Sequence, residues 1–203
     1  TCMSPLSVLQ QQAFDEINRS WESHDVCLLH GVTSSGKTEV YLHLINEQLR
    51  KGRQALFLVP EIALTQQMTE RLRRAFGSRL GVYHSKFSDA ERVELWQRQL
   101  SDTPYDVILG VRSSVFLPFR NLGLVIVDEE HDPSYKQSDM SPRYNGRDCA
   151  VIMGRIYRAS VVLGSATPSL ESYVNALSGK YGYVELNERW GDAELPEVVV
   201  SDT

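Results

Sequence analysis

Residues 31–38 read GVTSSGKT, a run of glycines, hydroxyl side chains and one lysine that is suited to binding phosphate. Gly31, Gly36, Lys37 and Thr38 have the spacing of the Walker A motif, in which the lysine reaches the β- and γ-phosphates and the last hydroxyl binds Mg²⁺. Its backbone N–H groups, with the N-terminus of a following helix, attract phosphate oxygens. The predicted cradle comprises Gly31, Thr33, Ser34, Ser35, Gly36, Lys37 and Thr38. The alternative is a strand-to-helix turn with an exposed lysine.

A second candidate group follows the apolar run LGLVIV as Asp128, Glu129, Glu130 and His131. A carboxylate at the carboxyl end of a buried parallel strand faces the crevice in which such sheets bind ligands. We expect Asp128 to hold Mg²⁺ through its water shell and Glu129 to orient and deprotonate an attacking water. The predicted catalytic residues are therefore Lys37, Asp128 and Glu129. The alternative is an acidic surface turn.

The third candidate is GSAT at residues 164–167, which ends another apolar run. The Ser165 and Thr167 hydroxyls could connect the region of the γ-phosphate to a second surface. Without the two motifs above, a helix cap with Pro168 in the first helical turn would be the better interpretation.

The elements that would position these groups alternate along the chain. Continuous apolar runs predict strands, and amphipathic stretches between them predict helices. Continuous rather than alternating apolar runs indicate strands that are covered on both faces, so we predict an α/β fold with a mostly parallel central sheet and helices on both faces. The predicted strands are 26–31, 54–61, 80–85, 105–113, 122–130 and 159–167, and the predicted helices are 37–51, 63–76 and 89–100 with Ser88 as an N-cap.

Composition narrows the classes of function. The chain has 203 residues, 42% of them hydrophobic, which is enough to form the core of one domain. A net charge of -5 excludes a global basic field, so nucleic acid would have to bind a local patch. Cys2, Cys27 and Cys149 are scattered, which favours buried thiols in a reducing compartment over disulfides or zinc. No apolar run approaches the roughly 20 residues that span a bilayer, so we expect no membrane contact.

A polar segment at 132–147 breaks the alternation of strands and helices. It combines aromatic and cationic side chains. In proteins that bind single-stranded nucleic acid, aromatic rings stack on bases and cationic groups contact phosphates. These side chains are Tyr135, Lys136, Arg143, Tyr144 and Arg147. We expect a mobile loop in which Tyr135 and Tyr144 are at least partly exposed. The alternative is a solvated loop with anchoring tyrosines.

The three motifs in this order resemble motifs I, II and III of superfamily 2 helicases. Four further stretches are similar, almost residue for residue, to the bacterial primosomal replication-restart helicases. These stretches are VPEIALTQQ (59–67), GVRSSVFLPF (110–119), DEEHDPSYKQ (128–137) and RYNGRDCAVIMG (143–154). The resemblance runs from about residue 6 to 189. It implies a first RecA-like P-loop NTPase domain at 1–190, followed at 191–203 by the start of a linker to a second RecA-like domain.

The resemblance also implies roles for individual residues. Gln10 would read adenine, since a glutamine amide can pair with both the amino group and N7 of that base. Thr65, Arg112 and Ser113 would contact the backbone of the tracking DNA strand. His131 would link the hydrolysis site to the GSAT motif and the DNA path, and the loop that follows it would couple strand binding to hydrolysis.

The activity that the resemblance implies is that of an ATP-dependent DNA helicase that unwinds 3′ to 5′, restarts stalled forks and assembles primosomes. Its cofactors would be ATP and Mg²⁺, with zinc held only by a part of the parent protein outside this chain. Its partners would be single-stranded and forked DNA, primosome proteins and single-strand binding protein. The chain would be monomeric, bacterial and cytoplasmic, and by itself a weak or inactive ATPase. The alternatives are another superfamily 2 DNA translocase, RecG-like or restriction-type, and a nucleotide-binding assembly module.

Overall fold

A seven-stranded parallel sheet forms the centre of the computed structural model, which describes residues 3–32, 36–136 and 145–187. The strand order is β3-β4-β2-β5-β6-β1-β7, and every neighbouring pair runs in parallel. The strands are β1 (Val26–Gly31), β2 (Gln54–Leu58), β3 (Leu80–Tyr83), β4 (Val107–Gly110), β5 (Leu122–Val127), β6 (Ser160–Ser165) and β7 (Gly182–Leu186). The predicted α/β class is confirmed.

Helices cover both faces of this sheet, so alternate residues of one strand enter two separate cores. Phe57 of β2 packs in one core with side chains of the first three helices, whereas Leu56 and Leu58 pack in the other with side chains of the fourth and fifth. Strands buried on both faces explain the continuous apolar runs of the sequence. The helices are α1 (Val8–Ser20), α2 (Lys37–Arg50), α3 (Gln66–Phe76), α4 (Asp89–Leu100), α5 (Gly146–Tyr157) and α6 (Leu170–Leu177).

The ends of helices and strands agree best with the prediction where local hydrogen bonds, such as those of a helix cap, determine them. Helix α4 begins after Ser88, whose side chain accepts a hydrogen bond from the Glu91 backbone while Glu91 bonds back to the Ser88 amide. That reciprocal capping confirms the predicted N-cap. The sequence analysis did not predict α5, α6 or β7. Helix α6 is short and has an apolar exposed face. Strand β7 alternates buried and exposed residues, whereas the predicted strands were selected as continuous apolar runs. Among the residues that the structure describes, none of the helices combines the length and the hydropathy that a membrane span requires.

The segment at 132–147 differs from the predicted mobile loop at both of its ends. Tyr135 is 0% exposed, and its hydroxyl donates to the carbonyl oxygens of Asp128 and Leu58. The predicted exposure of Tyr135 is therefore wrong: two strand-end carbonyls accept its hydroxyl, and its ring joins the core. Lys136 forms an antiparallel bridge with Asn145, the N-cap of α5. Residues 137–144, which include Arg143 and Tyr144, lie outside the described part of the chain.

A buried ion pair connects three segments behind the sheet edge. The Glu130 side chain is 0% exposed, and Arg147 at the start of α5 donates to its carboxylate at 3.2 Å. Ser169, the N-cap of α6, donates to the same carboxylate through its amide at 2.7 Å and its hydroxyl at 3.0 Å, and the Ser172 hydroxyl adds a bond at 3.0 Å. Arg147 is thus a structural residue, and its predicted place among the DNA-facing cations of a mobile loop is wrong.

Loss of this ion pair should destabilise the fold strongly. Arg147→Met leaves the buried Glu130 carboxylate without its cation, which costs about 3–5 kcal/mol in comparable cases. The measurement is urea unfolding of the chain. Arg155→Met, an exposed change on the same helix, is the control and should alter stability by no more than about 0.5 kcal/mol. Equal, small losses in both variants would contradict this account.

Candidate nucleotide-binding site

The three motifs follow three adjacent strands in the middle of the sheet. Strand β5 leads into DEEH, β6 ends in GSAT, and β1 leads into GVTSSGKT; the order β5-β6-β1 places GSAT between the other two. Because these strands are parallel, their carboxyl ends lie at one edge of the sheet, where open α/β sheets bind ligands. The topology therefore brings the described site residues of all three motifs to one place.

The described part of the phosphate cradle has the predicted strand-loop-helix form. Strand β1 ends at Gly31, and α2 begins at Lys37 after Gly36, whose φ of 83° lies in the left-handed region that glycine adopts without strain. Lys37 is only 6% exposed, and its Nζ donates to the carbonyl oxygens of Gly31 at 2.7 Å and Val32 at 3.3 Å. Thr38 is half-buried in the first helical turn. Thr33, Ser34 and Ser35 lie outside the described residues.

Glu129 lies between a cation and a histidine. Its Oε1 is 3.8 Å from Lys37 Nζ, and its Oε2 is 3.6 Å from His131 Nδ1. Its φ of 48° is a conformation that non-glycine residues rarely adopt and that is concentrated at functional sites. The side chain stays 26% exposed, so water can reach the carboxylate that is predicted to act as the base.

Asp128 occupies a more enclosed position than Glu129. Burial, followed by the neighbouring Glu129 charge, raises the pKa of Asp128 to about 6. The Tyr41 hydroxyl donates to Asp128 Oδ1 at 2.9 Å, and burial raises the pKa of that tyrosine well above its usual range. Two carboxylates side by side favour a nearby cation.

The donor set fits Mg²⁺ bound together with a nucleotide. No group of three or more His, Cys, Asp or Glu side chains within 3–32, 36–136 and 145–187 could hold a metal alone. Mg²⁺ usually binds through one or two protein oxygens plus substrate phosphates and water. A Thr38 hydroxyl in the first turn of α2 and an Asp128 carboxylate at the end of β5 match that mode.

Hydrogen bonds connect the DEEH and GSAT motifs directly. His131 Nδ1 lies 2.6 Å from Ser165 Oγ, and His131 Nε2 lies 3.3 Å from Thr167 Oγ1. Ser165 is fully buried and also accepts from the Thr167 amide at 2.9 Å. Pro168 does not sit in the first turn of a helix, because α6 begins at Leu170 with Ser169 as its N-cap. GSAT is therefore joined to the site by its hydroxyl groups.

Gln10 contacts the phosphate cradle from α1. Its Nε2 donates to the Gly36 carbonyl at 3.2 Å, and its Oε1 accepts from the Ser7 amide at 2.9 Å in a capping box. The side chain is 4% exposed. A primary amide has a second N–H and a second lone pair, so these bonds leave it one donor and one acceptor for a base.

The residues predicted to contact DNA fall into two groups. Arg112 donates to the carbonyl oxygens of Ser134 and Lys136, so it supports the segment that follows DEEH, and Ser113 lies half-buried in the same 3₁₀ turn. Lys136 is exposed. Thr65 stands apart as the exposed N-cap of α3, accepting from the Met68 amide at 3.2 Å.

Sequence reasoning missed Tyr41 and the buried role of Glu130. Tyr41 reads as an apolar core residue of an amphipathic helix, and its partner Asp128 lies 87 positions away in the chain. One signal was available for it: Tyr41 lies four positions after Lys37, which places both side chains on one helix face. For Glu130 the only signal was its place within DEEH.

Comparison with known proteins agrees with this geometry. The DEAD/DEAH box helicase family model matches residues 7–176. The chain is 50% identical over 182 residues to the Replication restart protein PriA of Chlamydia pneumoniae, covering 89% of this chain and 24% of that protein. It is 46% identical over 200 residues to the PriA of Bacillus subtilis (strain 168), covering 98% and 25%. The chain thus spans about a quarter of the length of these relatives.

A solved structure of RecG bound to a three-way DNA junction shares the fold with a TM-score of 0.64 at 23% identity, covering 96% of this chain and 25% of that one. At that identity the likeness concerns the fold alone. The family match extends over most of the chain and includes all three motifs at the sheet edge. The chain belongs to the DEAD/DEAH box helicase family.

Proposed function

We propose that the chain is the ATP-binding motor domain of a DNA helicase that restarts stalled replication forks. The observation that carries the proposal is the convergence of Lys37, Asp128 and Glu129 at the carboxyl ends of β1 and β5, the two strands that flank β6. Residues 1–190 would form the first RecA-like domain, and 191–203 would begin a linker to a second. The name shared by relatives at 46–50% identity favours replication restart over the RecG-like, restriction-type and assembly-module alternatives.

Phosphoryl transfer needs positioning and charge more than covalent chemistry from the protein. Lys37 would bind the β- and γ-phosphates through its ammonium donors, with Gly31, Gly36 and the helix N-terminus cradling the remaining oxygens. Thr38 and Asp128 would hold Mg²⁺, which when bound supplies positive charge beside those phosphates. Glu129 would accept the proton of the attacking water. The cradle would also include Thr33, Ser34 and Ser35, with Gln10 on the adenine.

Coupling to DNA would run through the hydroxyl groups of GSAT. His131 contacts Ser165 and Thr167 on one side and approaches Glu129 on the other. A shift of β6 relative to β5 would therefore move His131 and change the position of the Glu129 carboxylate, which is proposed as the base. Tyr135 would support these residues from the core, since its buried hydroxyl donates to the Asp128 carbonyl.

Single-stranded DNA would be contacted by exposed or polar groups around the same edge. These groups are Thr65, Arg112, Ser113 and Lys136. Arg143 and Tyr144, which lie outside the described residues, would also contact the strand. Local contacts of this kind are compatible with a net charge of -5, because phosphate contacts act at short range in salt. Forked DNA, primosome proteins and single-strand binding protein would bind the parent protein in the bacterial cytoplasm. Zinc would belong to other parts of that protein.

The direct test is ATP turnover by the full-length protein with no DNA, with single-stranded DNA and with forked DNA. We expect stimulation by both DNAs, and 3′ to 5′ unwinding of the fork. The monomeric chain alone should hydrolyse ATP poorly, because an arginine finger from a second domain contributes about 10³–10⁵ in rate in P-loop enzymes. Nucleotide binding without any DNA-dependent turnover would favour the assembly-module alternative.

Replacement of the cradle lysine should weaken nucleotide binding. Lys37→Ala removes a charge-assisted contact worth about 1.5–3 kcal/mol, so Mg-ATP affinity should fall about 10- to 100-fold. The measurement is calorimetry. Lys51→Ala removes the same charge from the opposite end of α2 and should leave affinity unchanged. Unaltered affinity in Lys37→Ala would exclude the phosphate role.

Replacement of the proposed base should separate binding from turnover. Glu129→Gln keeps the size of the side chain but cannot take a proton, and general-base catalysis is worth about 10²–10⁴ in rate. Full-length protein with this change should bind ATP and hydrolyse it at least about 100-fold more slowly. Glu47→Gln, near the far end of α2, is the control. Near-normal turnover in Glu129→Gln would remove this residue as the base.

Replacement of the exposed lysine after Tyr135 should affect DNA rather than nucleotide. Lys136→Ala in the full-length protein should raise the single-stranded DNA concentration for half-maximal ATPase stimulation about tenfold, the value of one charged contact. DNA affinity should also depend less steeply on salt concentration, by the amount expected for the loss of about one phosphate contact. Lys51→Ala serves again as the control. A stimulation curve identical to that of the unmodified protein would show that Lys136 has no part in coupling.

A further inference from the structure

Tyr41 connects the helix of the phosphate cradle to the strand that carries Asp128. The ring is fully buried and packs edge-to-face against Phe57 of β2, with centroids 5.4 Å apart. Its hydroxyl donates to Asp128 Oδ1 at 2.9 Å. A buried ring in close packing has little freedom to move, so the hydroxyl is held in one position.

The third motif makes room for this bond. A Cβ atom built on Gly164, in β6, would lie 1.6 Å from the Tyr41 hydroxyl oxygen and 3.4 Å from Asp128 Oδ1. Only a residue without a side chain allows the hydroxyl to reach the carboxylate across β6. Gly164 of GSAT therefore leaves the space that the hydrogen bond between Tyr41 of α2 and Asp128 after β5 requires.

We propose that Tyr41 is a positioning residue that fixes the Asp128 carboxylate for the metal ion of the nucleotide complex, and that Gly164 is required because it admits the tyrosine hydroxyl. This inference rests on the proposed function. A carboxylate offers two oxygens and about four lone-pair sites, and its terminal torsion has only a broad preference, so a hydrogen-bond donor is needed to fix its orientation. The bond from Tyr41 commits one site on Oδ1 and restrains that rotation. Thr38 lies in the first turn of the same helix, so α2 would supply both a metal-binding hydroxyl and the orientation of its carboxylate partner.

A purely structural role makes a different prediction. If Asp128 served only as an acceptor for a buried hydroxyl, loss of that hydroxyl would change stability and leave metal affinity as it was. Partners that orient a metal-binding side chain typically change metal affinity about 10- to 100-fold when they are removed. Metal affinity is therefore the quantity that distinguishes the two roles.

The experiment measures Mn²⁺ binding to full-length protein saturated with a non-hydrolysable ATP analogue, by electron paramagnetic resonance. Tyr41→Phe removes only the hydroxyl and should weaken Mn²⁺ binding about tenfold or more, with an altered Mn²⁺ spectrum. Affinity for the analogue in EDTA should be unchanged. Tyr83→Phe, a buried tyrosine on the edge strand β3, is the matched control and should leave the Mn²⁺ affinity unaltered.

Gly164→Ala tests the same contact from the opposite side. The added methyl group should displace the hydroxyl and give a loss like that of Tyr41→Phe, and the double variant should lose less than the product of the two effects. Mn²⁺ affinity in Tyr41→Phe equal to that of the unmodified protein, or fully multiplicative losses in the double variant, would overturn the inference. Absence of Mn²⁺-dependent analogue binding in the unmodified protein would instead contradict the proposed function.

Discussion

Parallel pairing of β5, β6 and β1 is the constraint on which the site depends. In this register Val127 lies beside Leu163, and His30 beside Ser165, so the three strands end almost level with one another. Each chain segment that leaves this edge carries polar residues that would be costly to bury elsewhere. The sheet thus brings to one edge a lysine, two carboxylates, a histidine and the two hydroxyl groups of GSAT, which come from distant parts of the sequence.

Burial sets the protonation behaviour of these groups, and hydrogen bonds offset the free-energy cost of burying them. Asp128 has its pKa raised chiefly because water is excluded from it, and Tyr41 donates to it. Glu130, one position beyond the proposed base, is neutralised by Arg147 and bonded by two serines. Consecutive acidic residues therefore have different tasks. Glu129 stays accessible to water, whereas Glu130 ties α5 and α6 to the strand end.

Local sequence information was enough to predict most elements and to select the motifs whose described residues meet at the carboxyl ends of β5, β6 and β1. Walker A spacing, a helix cap such as Ser88 and the apolar runs are properties of short segments, so they can be read without the fold. Tyr135 shows the limit. Its neighbours in sequence are polar, which indicated exposure, but the carbonyl groups that accept its hydroxyl belong to β2 and to the end of β5. The partners of Arg147 and Tyr41 likewise come from other strands and helices, so only the assembled sheet shows whether such side chains face solvent, DNA or the core.

The central claim is that this edge of β5, β6 and β1 binds a nucleotide with its metal ion. A crystal structure of the protein with a non-hydrolysable ATP analogue and Mn²⁺ tests it most directly, because Mn²⁺ can be located by its anomalous scattering. The account predicts the γ-phosphate within hydrogen-bonding distance of Lys37 Nζ, and Mn²⁺ between the Thr38 hydroxyl and the Asp128 carboxylate. Nucleotide bound at another surface, or Mn²⁺ away from both Thr38 and Asp128, would contradict it.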